Sequence, residues 1–345
     1  MKLKLLALGA LGALMMAGLS TAPGAAQTAK PWYKSDWDPS RIKPCDRACL
    51  VGFMDGYLRA LESKDRSALP LAEEVWFTEN TARLDLGEGI LWRADIKPTS
   101  FRITAADPVT GEVAVQTVYE IQGKPALVAV RLKIDRRMIT EVEELLDRNV
   151  APEAMELLKT PRPVLVDDLP VKDRSTREYM IYAANAYFDA LTGENGKIAP
   201  FADECVRHEQ GYQTVANKTP GRAMPSPVIP DPSTPFGKQI AAMSVMTCAQ
   251  QVDTKIFTGI KKIWPRRALI VDEQKGLVAT FPLFVHDGTR RPVEGQPPGG
   301  MGMVLNMVTM ETFSIRKDKI YDVEAFPFVT FSYGLGDGWT PGKGR

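Results

Sequence analysis

Several things are scarce in this chain of 345 residues, and each scarcity excludes something. Charge of one sign is missing: the formal net charge is +1, with no basic block and no interleaving of basic and aromatic residues, so nucleic acid is a poor partner. There is no glycine-rich phosphate loop, no HExxH and no CxxC. No three residues stand at metal-ligand spacing, so a metal is not expected. Long apolar runs are confined to Leu5–Leu19, too short to span a membrane comfortably. Histidine occurs only twice, as His208 and His286, and cysteine four times.

That first run is preceded by Lys2 and Lys4 and followed by small residues, TAPGAAQTA. Basic, then apolar, then small is the order of a secretory signal peptide, here residues 1–26, cut after Ala26 or, as second choice, Ala29. The expected location is therefore periplasmic or extracellular, with no membrane partner once the leader is removed. In an oxidising compartment an even cysteine count favours disulfides. Cys45 and Cys49 lie one helical turn apart, so a local bridge would pin the mature N-terminus. Cys205 and Cys248 flank a long loop whose closure stabilises by roughly 3–4 kcal/mol in the chain-entropy view. Otherwise these two are small buried apolar residues.

What the chain does have is a repeat. Tyr57–Asn80, YLRALESKDRSALPLAEEVWFTEN, returns without a gap from Tyr187 as YFDALTGENGKIAPFADECVRHEQ. Tyr57 matches Tyr187, Pro70 matches Pro200, and Glu79-Asn80 match Glu209-Gln210. A second echo sets LKIDRRMITEVEE from Leu132 against FSIRKDKIYDVEA from Phe313. Two diverged copies of one fold follow.

Residues 27–44 read as an irregular arm carrying Trp32, Tyr33 and Trp37. The first unit covers 45–150. Its helix, 46–61, has Leu50, Phe53, Met54, Tyr57, Leu58 and Leu61 on one face. Short strands follow at 75–78 and 82–86, Gly87-Glu88-Gly89 turns before Ile90-Leu91-Trp92, and strands at 101–105, 112–121, 126–134 and 139–146 form an antiparallel meander. A proline-containing linker, 151–174, leads to the second unit, 175–330, and a tail, 331–345. The second unit starts with a helix at 177–191. Residues 244–263 suit a helix, and strands are expected at 268–271, 277–285, 304–315 and 320–325. The segment 211–247, with six prolines between 219 and 236, is expected to be a surface loop, because missing donors exclude a central helix or strand. Bracketed by Cys205 and Cys248, it would cover a pocket mouth as a lid. Helices followed by a curved antiparallel sheet, twice over, make the fold class α+β: two tandem cone-shaped domains.

YLRAL, LPLAEEVWFTEN and LGEGILW in the first copy, with DECVRHEQG, CAQQ and VDEQKGLV in the second, resemble the nuclear-transport-factor-two-like superfamily. That superfamily includes polyketide cyclases, SnoaL-like proteins and ketosteroid isomerase. More narrowly they resemble a secreted bacterial and fungal family of unknown function. The resemblance covers most of 45–330. It implies a cone holding an apolar pocket, used either by cofactor-free lyases, dehydratases and isomerases or by non-catalytic binding modules.

The residues placed to carry such chemistry are His208, Glu209 and His286, since a histidine beside an acid suits proton abstraction. Their first-copy counterparts include Thr78 and Ile121, so a catalytic pocket belongs to the second copy. Tyr187, Asn185, Gln210 and Phe284, with Tyr57, Asp55, Glu79, Asn80 and Tyr119 in the first copy, are candidate pocket residues. The repeated Glu–amide pair suits backbone capping as well as chemistry. Met301, Met303, Met307 and Met310 make a soft apolar strand. Two readings stay open: a cofactor-free lyase, dehydratase or isomerase acting on a small apolar or aromatic molecule, and a non-catalytic binding or scaffold module. In the second reading the halves pack as a pseudo-dimer through their sheets, with further oligomers compatible.

Overall fold

The structure, a computed structural model, describes residues 44–218, 231, 233–293, 296–299 and 302–340. The expected signal peptide, nearly all of the arm, most of the proline-rich stretch and Met301 lie outside the described residues. Among those described, no helix is long and apolar enough to cross a membrane.

Helix α1 (Arg47–Ser63) starts where the Asp46 side chain accepts from the Cys49 N–H, and ends on Lys64 in the left-handed region. Its stripe of Leu50, Met54, Tyr57 and Leu61 is wholly buried. Strands β1 (Leu71–Glu79) and β2 (Ala82–Leu84), the short helix α2 (Ile90–Arg93), and strands β3 (Ile96–Asp107), β4 (Glu112–Ile121), β5 (Lys124–Asp135) and β6 (Met138–Asp147) complete the first half. Their sheet runs β2-β1-β6-β5-β4-β3.

Helix α3 (Pro152–Leu157) lies in the linker, and α4 (Arg177–Gly193) opens the second half. Thr176 caps α4 and Glu194 ends it in the left-handed region, repeating α1 residue for residue. Then come β7 (Phe201–Glu209), β8 (Tyr212–Val215), α5 (Pro235–Ser244), α6 (Cys248–Asp253), β9 (Ile260–Asp272), β10 (Leu277–Asp287), β11 (Arg291–Val293), β12 (Gln296–Gly299), β13 (Val304–Val308), β14 (Glu311–Arg316), β15 (Lys319–Ala325) and β16 (Val329–Phe331). This sheet runs β16-β13-β10-β14-β15-β7-β8, with β9 on the other side of β10. The molecule is α+β, with a helix laid on each of two curved, mainly antiparallel sheets.

Three expectations need correction. The sheets are not purely antiparallel: β1 lies parallel to β6, pairing Leu71 with Ile139, and β7 lies parallel to β15, pairing Phe201 with Ile320. The stretch 244–263 is not one helix. Thr247 starts α6 afresh with a capping box, and from Ile260 the chain is held as a strand by β10, Ile263 facing Phe284. Tertiary pairing here overrides a helical pattern. The strand expected at 304–315 is interrupted at Thr309-Met310, opposite Phe281-Pro282; the register is the same on both sides, and Pro282 has no N–H for the ladder.

The sheets stand back to back. Alternation sends Leu277, Ala279, Phe281, Val308 and Met310 outward from the second cone onto Phe101, Ile103, Ala114, Val118 and Leu127 of the first. The interface is reciprocal. Arg47 of the first half pairs with buried Asp272 of the second at 2.9 Å, and Arg177 of the second with buried Asp107 of the first at 2.6 Å. The same carboxylates accept the Ala106 and Val271 backbone N–H groups at 3.2 and 3.1 Å. Between them Gln116 donates to the Met310 and Phe326 carbonyls and accepts from the Thr312 hydroxyl at 2.8 Å. The tail crosses back to the first half, where Trp339 donates to Thr78 Oγ1 at 3.0 Å and lies under the Arg131 guanidinium.

Candidate functional site

The two cones have opposite interiors. In the second, a cavity of about 280 Å³ lies between the sheet, the end of α4, and the expansion that carries α5 and α6. Ile240, Met243, Ile256, Phe257, Phe284, Met303, Met307 and Phe328 give it apolar walls. Four titratable residues lie on its floor, Arg207 and Glu209 from β7, Glu311 from β14 and His286 from β10, and Thr214, Gln251 and Thr330 add uncharged polar groups.

Strand alternation puts them there. On β7 residues 207 and 209 face inward, so 208 faces out. Arg207 donates through Nε to the Tyr187 hydroxyl at 2.8 Å and through Nη1 to Gln251 at 3.2 Å, and its Nη2 pairs with Glu209. Its guanidinium also stands over the Phe257 ring. Gln251 is brought within reach because the Cys205–Cys248 disulfide ties α6 to β7; Gln251 in turn donates to the Thr214 carbonyl at 2.9 Å. The Cys45–Cys49 bridge is also formed.

Glu311 is 2% exposed, and its Oε2 has no hydrogen-bond partner. Burial pushes its carboxyl up to about 8, against the pull of the Arg207 charge. His286 is stacked on Phe284, and its Nδ1 also lacks a partner. Burial lowers this imidazole to about 4, so it is neutral at pH 7. The floor thus holds one matched ion pair, a carboxyl that keeps its proton near neutrality, and a neutral imidazole.

His208 does not join them. Its side chain lies on the opposite face of β7, 4.0 Å from Asp322 and near Arg162, and burial with that positive charge drives it down to about 2. The expected trio is therefore divided: Glu209 and His286 line the cavity, and His208 faces away from it, beside Asp322 and Arg162 of the linker. Phe284 is in the wall, and Tyr187 stands behind Arg207. Gln210 donates to Asp147 of the first half at 2.8 Å. Asn185 donates back to the Ile181 carbonyl and receives Arg266, outside the cavity.

In the first cone the same region is filled. Tyr57, wholly buried, donates to Glu144 at 2.7 Å and accepts from Trp92 Nε1 at 3.1 Å, ring edge to ring face. Glu79 accepts the Ile90 and Leu91 N–H groups, so the start of α2 sits on the carboxylate that matches Glu209. The fit is close: a Cβ on Gly89 would stand 2.6 Å from Glu79 Oε2. Burial, and then the Glu79 charge, raise Glu144 well above the ordinary carboxylate range. Asn80 is structural, exchanging both amide bonds with the Leu146 backbone at 2.9 and 2.7 Å. Asp55 pairs with Arg102 at 2.6 Å and the Tyr119 hydroxyl donates to Glu62, both at a shallow outer cleft.

The sequence reading passed over Arg207, Gln251 and Glu311. Glu311 did leave a sign: in MVTMETFSI it is a carboxylate at an inward position between Met307 and Phe313. Part of the segment 211–247 lines the cavity wall, through Thr214, Ile240 and Met243.

Residues 173–327 match the family described as Domain of unknown function (DUF8021). Among curated proteins none matches the chain. Similar solved structures include an NTF2-like protein of unknown function from Cytophaga hutchinsonii (14% identity, TM-score 0.25, covering 28% of this chain and 89% of that one). A protein of unknown function with a cystatin-like fold from Methylobium petroleophilum has 15% identity and TM-score 0.26, over 45% of this chain and 78% of its own. IdmH from Streptomyces antibioticus, described as a candidate polyketide cyclase, has 13% identity and TM-score 0.24, over 43% and 90%.

Proposed function

We propose that this is a secreted or periplasmic protein whose second cone binds one small apolar or aromatic molecule. The observation that carries the reading is the asymmetry of the two interiors: an apolar cavity with a few convergent polar groups in the second half, and packed side chains at the same place in the first. The volume, about 280 Å³, is nearly twice the roughly 150 Å³ of an engineered cavity that takes benzene. A molecule of two or three fused rings is the right size. The two disulfides fit an oxidising compartment.

In its catalytic form the reading is a cofactor-free elimination or isomerisation. Neutral His286 can accept a proton from carbon, and an acid on the floor can return one to oxygen. Glu209 serves by holding Arg207 in place. The first half, with its interior occupied, acts as scaffold, and the sheet-to-sheet interface fixes the second cone against it. The alternative, a carrier without turnover, draws on the same cavity and on the engagement of Glu209 by Arg207.

The test is a titration of the purified protein with neutral bicyclic and steroid-sized ligands, followed by calorimetry. One site per chain is expected, lost in Met307→Trp, which fills the cavity, and kept in a variant of the outer cleft such as Arg59→Ala. Binding that survives Met307→Trp unchanged would refute the reading. Product formation from a bound ligand separates enzyme from carrier.

A further inference from the structure

We propose that Glu311 selects the ligand: a neutral molecule bearing a carbonyl or similar uncharged acceptor oxygen, which takes a hydrogen bond from the Glu311 carboxyl inside the second cone. The inference rests on the cavity being a ligand site and adds which chemistry it accepts.

The accounting of the floor leads there. Every nitrogen of the Arg207 guanidinium is engaged, Nε by Tyr187, Nη1 by Gln251 and Nη2 by Glu209. These contacts use three of its five N–H groups and Glu209 matches its charge, so a ligand carboxylate or phosphate would meet the Glu209 carboxylate beside any N–H that remains. A cationic ligand would require Glu311 to ionise in an apolar wall, with Glu209 already matched to Arg207. Burial opposes that ionisation, keeping the carboxyl up to about 8. A plain hydrocarbon would leave Glu311 Oε2 as it stands, buried at the cavity and without a partner. Buried polar atoms are rarely left so, and a protonated carboxyl has one O–H to give. A neutral acceptor satisfies it and adds no charge. His286, neutral and with Nδ1 unpartnered, offers a second polar contact of the same uncharged kind. In the first cone the buried Glu144 has one oxygen, Oε1, held by Tyr57 under Trp92, and there too Oε2 is left without a partner, but among the described residues no cavity opens beside it.

The experiment holds shape constant and varies the polar group. Four probes on one skeleton, 2-ethylnaphthalene, 2-acetylnaphthalene, 1-(2-naphthyl)ethylamine and 2-naphthoic acid, are titrated into the full mature chain at pH 7. The ketone is expected to bind about tenfold more tightly than the hydrocarbon, as one buried hydrogen bond allows, and the charged probes more weakly than either. Glu311→Gln, whose amide N–H still donates, should keep most of the ketone preference. Glu311→Leu should abolish it while leaving the hydrocarbon bound; circular dichroism melts verify folding, and the Gln variant decides if Leu fails to fold. Tightest binding of the amine or the acid overturns the inference. So does a ketone preference that persists in Glu311→Leu, or its loss in a folded Glu311→Gln. If ketone and hydrocarbon bind equally, the role of Glu311 falls while the cavity stands. If none of the four binds, the cavity reading itself falls and takes this inference with it.

Discussion

The first and second cones begin alike and end differently. From Arg47 and from Arg177 the same helix, the same left-handed exit and the same parallel strand follow at a constant offset. They diverge after the repeated Glu–amide pair. In the first half Gly87–Arg93 turns inward, seats the start of α2 on Glu79 and puts Trp92 against Tyr57. In the second half a long insertion takes that path. Its helices α5 and α6 form walls beside the sheet, and a disulfide ties α6 to β7. One fold thus yields a solid core or a cavity according to what one connection does.

The largest effect should come from removing the plug. Trp92→Ala deletes a buried ring and strands the Tyr57 hydroxyl, and should cost about 3–5 kcal/mol in denaturant unfolding. Met307→Ala, on a wall that faces empty space and so has fewer contacts to lose, should cost about 1 kcal/mol. Equal costs would mean that the two interiors do not differ as described.

The interface comes next, because it treats the halves as equals. Arg47→Met leaves buried Asp272 uncompensated, and Arg177→Met does the same to Asp107, whose carboxyl, against the upward push of burial, the Arg177 hydrogen bond and backbone donors hold below its usual range. Each should destabilise by about 2–4 kcal/mol, within about 1 kcal/mol of the other. A large effect from only one would show that the pseudo-two-fold symmetry is geometric but not energetic.

The smallest and most discriminating test is pH. Glu311 has a folded pKa of about 8 against an ordinary value of 4.5. Below both values it is protonated folded and unfolded alike, and contributes nothing to the slope. Between them the unfolded chain releases the proton and the folded chain keeps it, so stability falls as pH rises from about 5 to about 8, by up to about 1.4 kcal/mol per unit, and then levels. Glu311→Gln should flatten that fall in urea unfolding at pH 5 to 8. Glu144, also raised, slopes the same way, and Glu144→Gln should show whether the filled cone carries a share. A slope unchanged in Glu311→Gln would mean that the carboxyl ionises freely in the folded protein.

Much of this was readable from residues alone. The duplication, the two helices with their buried stripes, most strands and the order of elements follow from periodicity and turn residues, because those signals are local: a stripe of Leu50, Met54, Tyr57 and Leu61 has one face to bury wherever it lies. His286 could be marked as a departure of the second half from the first, where Ile121 stands, while Glu209 could be marked only as the repeat of Glu79. Other features are decided by chain segments far apart in sequence. That β1 and β7 return parallel to the last strands of their sheets depends on pairing across some seventy to a hundred and twenty residues. That Lys261–Trp264 is strand depends on β10, not on its own composition. His208 and Glu209 are neighbours in the chain, yet a strand points them to opposite faces, one toward Asp322 and Arg162 and one to the cavity. The sequence by itself determined the repeated order of helix and strand and the chemical difference between the second half and the first. Only the tertiary structure decided which cone is hollow, since emptiness is a relation among Trp92, Glu79 and α2 on one side and Arg207, Glu311 and α6 on the other, and a carboxylate's proton is set by the surroundings that folding brings to it.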